Sequence, residues 1–322
     1  MLPDLHRAVE ACLAGADRRA VARAARALSE TYRADAGHPL ARMDDAVTRL
    51  AYLATRLPAT VAALAFVVRR AAACLDLSAC ATVLELGAGP GPAAWACAPV
   101  MPALRQVHMV DRDAGLLDLG RRLADHAGVF PGVTLSRTTA GIERLDPMPE
   151  ADVVVLSYAI GEVDPERRAS VLARAWAAAR LVLIVVEPGT RPGFARVLDA
   201  RAMAIAAGGH VAAPCPHDAV CPMVAPDWCH VPVRLDRSRL HQQVKGASRG
   251  FEDEKIAYVV VGRAAPPPVR AARVIAHPDT HSGHLRLRLC TPEGIQTRTR
   301  SKRDGEAYRR ARHARWGDAL AE

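Results

Sequence analysis

The sequence predicts an α/β protein: a parallel, doubly wound sheet behind a helical N-terminal cap, closed by a small basic β unit. Three observations lead there. From Ala81 onward, short apolar strands alternate with helical stretches. The first of these strands runs straight into a glycine turn, Gly87-Ala88-Gly89-Pro90-Gly91. After Pro266-Pro267-Pro268 the texture switches to strict alternation, His284-Leu285-Arg286-Leu287-Arg288-Leu289. Of the 322 residues, 50% are hydrophobic and 24% charged, so the chain can bury a large core and is not of disordered composition. The expected organisation is a helical region at 1–78, a sheet domain at 79–265 with a cysteine-rich insertion at 208–255, and a basic unit at 266–322.

In the N-terminal region Ala8, Val9, Cys12 and Leu13, then Val47, Leu50, Ala51 and Ala54, recur at helical spacing. Pro39 punctuates it, and Pro58 suits a helix start. Residues 82–86 read as a buried strand, followed by a small-residue helix from Pro92 to Ala98. A second strand, Gln106 to Val110, ends at Asp111, and a helix runs from Ala114 to Ala127. Val133 to Ser136 and Ala151 to Leu156 are the third and fourth strands; the latter is continuously apolar, as for a strand covered on both faces. Asp164-Pro165 starts a helix to Arg180, Leu181 to Val186 is the fifth strand, and Phe194 to Ala207 is helical. Periodicity then fades from Gly208 to Glu254 among prolines, histidines and cysteines, and returns as a strand at Ile256 to Val261. The last segment reads as an antiparallel pair and a basic helix near Ala307 to Arg315.

The longest apolar run, Ala59 to Val68, is too short to span a bilayer, and the N-terminus lacks the apolar core of a secretory signal. These features predict a cytoplasmic protein with no membrane association. Net charge is +9 with a pI near 9.5. Between Gln296 and Trp316 eight bases (Arg298, Arg300, Lys302, Arg303, Arg309, Arg310, Arg312, Arg315) face only two acids, Asp304 and Glu306. Only three lysines occur, so the charge is nearly all guanidinium, which grips phosphates bidentately and stacks on bases. That cluster points to nucleic acid. Arg234, Arg237, Arg239, His241 and Lys245 are expected to extend it.

A glycine turn between strand and helix lets a ligand approach the backbone. The dinucleotide fingerprint needs a glycine at the sixth position, and here that position is Pro92. The pattern present is Glu85, one residue, then Gly87-x-Gly89-x-Gly91, with Asp111 ending the next strand. It resembles the first motif of class I S-adenosylmethionine-dependent methyltransferases. The resemblance implies that Glu85, Gly87, Gly89, Gly91 and Asp111 form the donor site, with Asp111 accepting the ribose hydroxyls. Glu162 and Glu187 end up near the carboxyl ends of strands four and five, but the Asn/Asp-Pro-Pro-aromatic motif of amine methylation is absent. No catalytic residue is assigned.

Four cysteines lie in helical sequence, and four do not: Cys215, Cys221, Cys229 and Cys290. The spacing is wider than the paired Cys-x-x-Cys of zinc knuckles, and proline follows both Cys215 and Cys221, as in cluster-binding runs. A [4Fe–4S] cluster on four thiolates fits this spacing; zinc on three cysteines with His217 or His230 is the alternative. Pro214-Cys215-Pro216-His217-Asp218, Cys221-Pro222, Trp228-Cys229-His230, Phe251-Glu252-Asp253-Glu254-Lys255, Val186-Glu187-Pro188-Gly189 and Cys290-Thr291-Pro292-Glu293-Gly294 are similar to motifs of the mitoribosomal small-subunit assembly methyltransferase-like family, over about residues 40–320. That resemblance implies a methyltransferase fold, a cluster on Cys215, Cys221, Cys229 and Cys290, and association with small-subunit rRNA or the pre-ribosomal small subunit. The alternative reading is a methyltransferase of a small molecule or protein carrying structural zinc.

Overall fold

The computed structural model describes residues 2–34, 43, 45–266 and 271–320; Pro39 and Pro267-Pro268 lie outside them. Four helices come first: α1 (Leu2–Cys12), α2 (Arg18–Ala34), α3 (Ala46–Thr55) and α4 (Leu57–Ala72). The Asp45 carboxylate accepts the Thr48 amide at 2.8 Å and so satisfies an orphan donor at the start of α3. Pro58 sits in the first turn of α4, where its missing N–H has no partner to lose.

The alternation follows as β1 (Thr82–Leu86), α5 (Pro92–Cys97), β2 (Gln106–Asp111), α6 (Ala114–Ala127), β3 (Thr134–Thr139), β4 (Ala151–Ser157), α7 (Pro165–Ala178), β5 (Ala179–Pro188) and α8 (Arg191–Ala206). Then come β6 (His210–Ala213), β7 (Val231–Asp236), α9 (Arg239–Lys245) and β8 (Phe251–Gly262). The strand order is β3-β2-β1-β4-β5-β8-β6, with β7 also on β8. Strands β1 to β5 are mutually parallel, whereas β8 is antiparallel to β5, β6 and β7. This is the class I methyltransferase sheet, Rossmann-like with one reversed strand. The parallel, doubly wound sheet read from the sequence is present in β1 to β5, and β8 runs against it. The chain comes back into the sheet from its carboxyl edge, so β8 can only descend.

The segment at 208–255 is also more regular than its sequence suggested. In β7, Val231, Val233 and Leu235 are buried while Arg234 and Asp236 are exposed, a clean half-buried alternation. Pro232 hides it, because a proline argues against a central strand; β7 pairs only with β8, and an edge strand tolerates the lost donor. Ile256 pairs with Pro188 on one side and Val231 on the other, so β6 and β7 share one edge of β8. The cysteine loop at 214–230 leaves that edge and rejoins it.

Both faces of the sheet are covered. Ala59, Ala63, Leu64 and Val67 of α4 pack with Val153, Val155 and Ile184 on one face. Val171, Ala175, Val197 and Ala200 of α7 and α8 pack with Val154, Leu156 and Val185 on the other. The C-terminal unit contains β9 (Ala272–Val274), β10 (Asp279–His281), β11 (His284–Thr291), β12 (Gly294–Ser301), α10 (Glu306–Ala311) and β13 (Ala319–Leu320). Its sheet runs β10-β11-β9-β13 with β12 on the other edge of β11, and Leu285, Leu287 and Leu289 bury against Tyr308 and Ala311 of α10.

Helix α6 presses on the glycine turn. A Cβ at Gly120 would lie 2.8 Å from the Pro90 carbonyl oxygen, a backbone atom that cannot swing aside. Gly120→Ala should therefore destabilise the protein by about 1–3 kcal/mol in denaturant unfolding despite its better helix propensity. An unchanged midpoint would mean that the helix does not set the position of the turn.

Candidate functional site

The glycine turn, Asp111 and the ends of β4 and β5 meet at the carboxyl edge of the sheet, at the point where the strand order reverses. Gly87, Gly89 and Gly91 all have positive φ (69°, 51° and 77°), which L residues rarely adopt. Two are also crowded: a Cβ on Gly87 would collide with Ala159 Cβ, and one on Gly91 would lie 2.6 Å from Met109 Sδ. Of the three, Gly89 faces open space, with nothing nearer than Leu116 Cδ1 at 3.9 Å.

The acids divide the work. Glu85 is fully buried; its Oε1 accepts the Ala93 amide at 2.9 Å, and its Oε2 has no partner among the described residues. Burial pushes its carboxyl well above the usual range. It braces the turn from beneath. Asp111 Oδ2 accepts the Gly89 amide at 2.7 Å and Oδ1 the Asp113 amide at 2.8 Å. A carboxylate offers about four lone-pair sites, so Asp111 can still accept two hydroxyls. Burial raises its pKa, against the two backbone hydrogen bonds.

Around this turn sit further groups, of which the sequence places only Glu162 and Glu187 near the strand ends. Arg112 Nη2 lies 3.0 Å from Glu162 Oε2, bridging the ends of β2 and β4. Asp113 caps α6 and is gripped by Arg49 of α3. Tyr158 holds a φ of +57°, rare for a non-glycine residue, and its hydroxyl points to Glu254 Oε1 at 3.4 Å, which Arg56 also approaches at 3.4 Å. Glu187, buried, accepts from Arg196 Nε at 2.6 Å, an internal ion pair rather than a free base. An arginine in so arginine-rich a chain carries no local signal of such roles.

The second assembly brings Cys215, Cys221, Cys229 and Cys290 to the wall of one cavity of about 40 Å³, lined also by His230 and Tyr258. All four are free thiols. Burial raises the pKa of Cys215 and Cys229 and pushes Cys290 up to about 12; nearby cysteines add to each rise. Among the described residues, no group of three or more His, Cys, Asp or Glu side chains is arranged to hold a metal ion. His217 Nε2 lies 3.7 Å from Cys290 Sγ.

Two buried arginines frame the loop. Arg201 of α8 donates to the carbonyls of His217 (2.9 Å) and Ala219 (2.7 Å). Arg273 of β9, the register partner of Cys290, donates to Pro214 O and Gly317 O, both at 2.8 Å. Trp228 Nε1 donates to Gly189 O at 2.8 Å, tying the cysteine loop to the end of β5.

Of the C-terminal bases, Lys302, Arg303, Arg309, Arg310 and Arg312 are exposed, whereas Arg298 and Arg300 on β12 are half-buried. Arg298 bonds Gln296 Oε1 at 2.7 Å, and Arg310 lies 3.5 Å from Glu306. Of the five residues at 234–245 expected to extend this face, Arg239 is exposed, whereas the other four are paired or buried. Arg234 pairs with Asp253, Arg237 and Lys245 share Glu252 at 2.7 Å, and His241 is completely buried, its imidazole pushed down to about 4 by burial. Glu252 and Asp253 hold Arg234, Arg237 and Lys245 across the β7–β8 ladder and α9.

The profile of a family described as "Mitochondrial small ribosomal subunit Rsm22" matches residues 46–321. The chain is 28% identical over 261 residues to the human "Ribosome assembly protein METTL17, mitochondrial", covering 74% of this chain and 55% of that one. It is 24% identical to the Schizosaccharomyces pombe "Rsm22-cox11 tandem protein 2, mitochondrial", over 73% of this chain and 38% of that one. It thus spans about half, or less, of the curated relatives it matches. Similar solved structures include magnesium protoporphyrin IX methyltransferase from Synechocystis with bound SAM (TM-score 0.41, 11% identity, 74% of this chain and 91% of that one). Another is a precorrin-6y C5,15-methyltransferase from Geobacter metallireducens (TM-score 0.38, 16% identity, 64% and 85%).

Glu162 supplies a pH signature. Its side chain is 43% exposed, and partial desolvation at the turn raises its carboxyl from 4.5 to about 7, the Arg112 guanidinium opposing. A raised carboxyl stabilises the fold only in its protonated form, so its contribution is complete below about 4.5 and is lost as pH climbs through 7. Relative to Glu162→Gln, the wild-type melting temperature should fall between those pH values and run parallel above them; parallel curves throughout would refute the shift.

Proposed function

The chain belongs to the mitochondrial small ribosomal subunit Rsm22 family, and from that membership we propose that it is a small-subunit assembly factor of methyltransferase fold that binds rRNA, holds S-adenosylmethionine and carries a [4Fe–4S] cluster. The observation that carries the cluster is Cys290: more than sixty residues from Cys229 in sequence, it shares a cavity wall with all three loop cysteines. The donor set fits. Burial raises the pKa of Cys215, Cys229 and Cys290, and these three line one cavity with Cys221, so four thiolates gathered there could ligate a [4Fe–4S] cluster. A bound cluster supplies folding free energy and a covalent link between remote segments. Arg201 and Arg273 hold the loop backbone from opposite sides, and Trp228 anchors it to β5.

At the other site Gly89 leaves room for a ligand against the backbone, and Asp111 keeps acceptor capacity for a ribose diol. The exposed bases of α10 and the turn before it present separate guanidinium groups to phosphates. The resulting picture is a sheet that binds the donor, a sulfur-lined joint, and a basic unit held by that joint against rRNA.

Anaerobically purified protein should contain about four iron and four acid-labile sulfide per chain, and Cys290→Ala should lose both while Cys74→Ala keeps them. One zinc per chain without sulfide would establish the alternative, a zinc-stapled methyltransferase. The triple variant Arg309→Ala, Arg310→Ala, Arg312→Ala should bind small-subunit rRNA fragments more weakly and with a shallower salt slope, by about 0.7–0.9 for each phosphate no longer neutralised. Unchanged affinity would remove α10 from the interface.

A further inference from the structure

Helix α6 starts with an anomaly. Gly115 occupies the second helical position, where alanine is the better helix former, yet its φ is not positive and no turn requires it. What occupies its missing side-chain volume is Arg49: an added Cβ would lie 2.6 Å from Nε, 2.7 Å from Cζ and 2.9 Å from Cδ. The guanidinium lies flat against the first turn of α6 and donates through Nε to both Asp113 oxygens, at 2.9 and 3.1 Å. Arg49 is only 25% exposed and Asp113 16%, so this ion pair is substantially shielded from water and salt.

The pair does not end at Asp113. The Asp113 amide donates to Asp111 Oδ1 at 2.8 Å, and Asp111 Oδ2 receives the Gly89 amide at 2.7 Å. A continuous run of short hydrogen bonds thus leads from a guanidinium on α3, through the α6 cap, to the carboxylate and the glycine of the turn that faces open space. The far end is rigid, because Leu53, Ala54 and Leu57 are buried with Leu116, Leu119 and Trp95 in one cluster. Arg49 is delivered by a docked helix, not by a loop.

We propose that Arg49 is a positioning residue for the donor site, fixing Asp113 so that Asp111 presents its free lone pairs to the two ribose hydroxyls, and that Gly115 is there to make room for it. This rests on the donor reading given above and adds to it a residue outside the glycine motif. The helical N-terminal layer becomes part of the binding site.

The test is calorimetric binding of S-adenosylhomocysteine and of its 2′-deoxy analogue to the full chain. Wild type should bind the parent compound and discriminate against the deoxy form. Arg49→Ala should weaken the parent by about tenfold, the scale of one charge-assisted hydrogen bond, and should narrow the gap to the deoxy analogue. Arg49→Lys, which keeps the charge, should recover part of the loss. Gly115→Ala guards against a trivial loss of folding: its methyl displaces only the end of a flexible side chain and adds helix propensity. It should match Arg49→Ala in affinity while keeping a single cooperative unfolding transition, which shows that the fold is intact. Unaltered affinity and discrimination in both Arg49→Ala and Gly115→Ala would overturn the proposal and leave the donor reading standing. Wild-type protein that binds neither compound at millimolar concentration would overturn both.

Discussion

One strand sets the geometry of everything that matters here. β8 is 12 residues long, but only its second half is needed to pair with β5. The first half projects beyond the carboxyl edge, where β7 pairs with it, and the gap between β6 and β7 along its outer edge is where the cysteine loop is held out. The same projection puts Glu252, Asp253 and Glu254 above the edge, where they meet α9, β7 and the start of α4. Had β8 been parallel, its approach would have begun at the opposite edge, and neither loop nor acids would lie at the carboxyl edge. Gly189 records how tight the arrangement is: a Cβ there would come within 2.7 Å of the Lys255 backbone.

A second constraint joins the C-terminal unit to the rest. Arg273 and Cys290 are cross-strand partners, so the guanidinium and the thiol leave the small sheet on the same face, toward the loop of Cys215. A buried arginine is costly unless its donors are satisfied, and here two backbone carbonyls, one from each side of the junction, accept from it. Trp316 continues the junction, its ring lying against His230 and His277.

Much of this was legible from the amino acids. Strand–helix alternation and the turn at Gly87–Gly91 gave the architecture because both follow from local chemistry: apolar runs of strand length, and glycines where φ must be positive. Cysteine spacing singled out the four thiols that share the cavity. What escaped were relations between distant residues. Nothing near Arg49 announces Asp113, and nothing near Arg273 announces Pro214 or Gly317; each is one arginine among many until the fold supplies its partner. β7 escaped for a different reason, since Pro232 interrupts an otherwise plain alternation. The bases at 234–245 misled because a charge count sees residues and not their pairing, and the acids that cancel them come a strand later.

That cancellation has a consequence for how the molecule moves before it touches anything. With Arg234 paired to Asp253 and with Arg237 and Lys245 on Glu252, α10 and the turn before it still carry a dense run of exposed bases, Lys302, Arg303, Arg309, Arg310 and Arg312. A body charged in this lopsided way feels a torque in the field of a polyelectrolyte, over roughly the Debye length of about 8 Å at physiological salt, and swings its positive pole forward. In such a field the arginine-bearing end would lead.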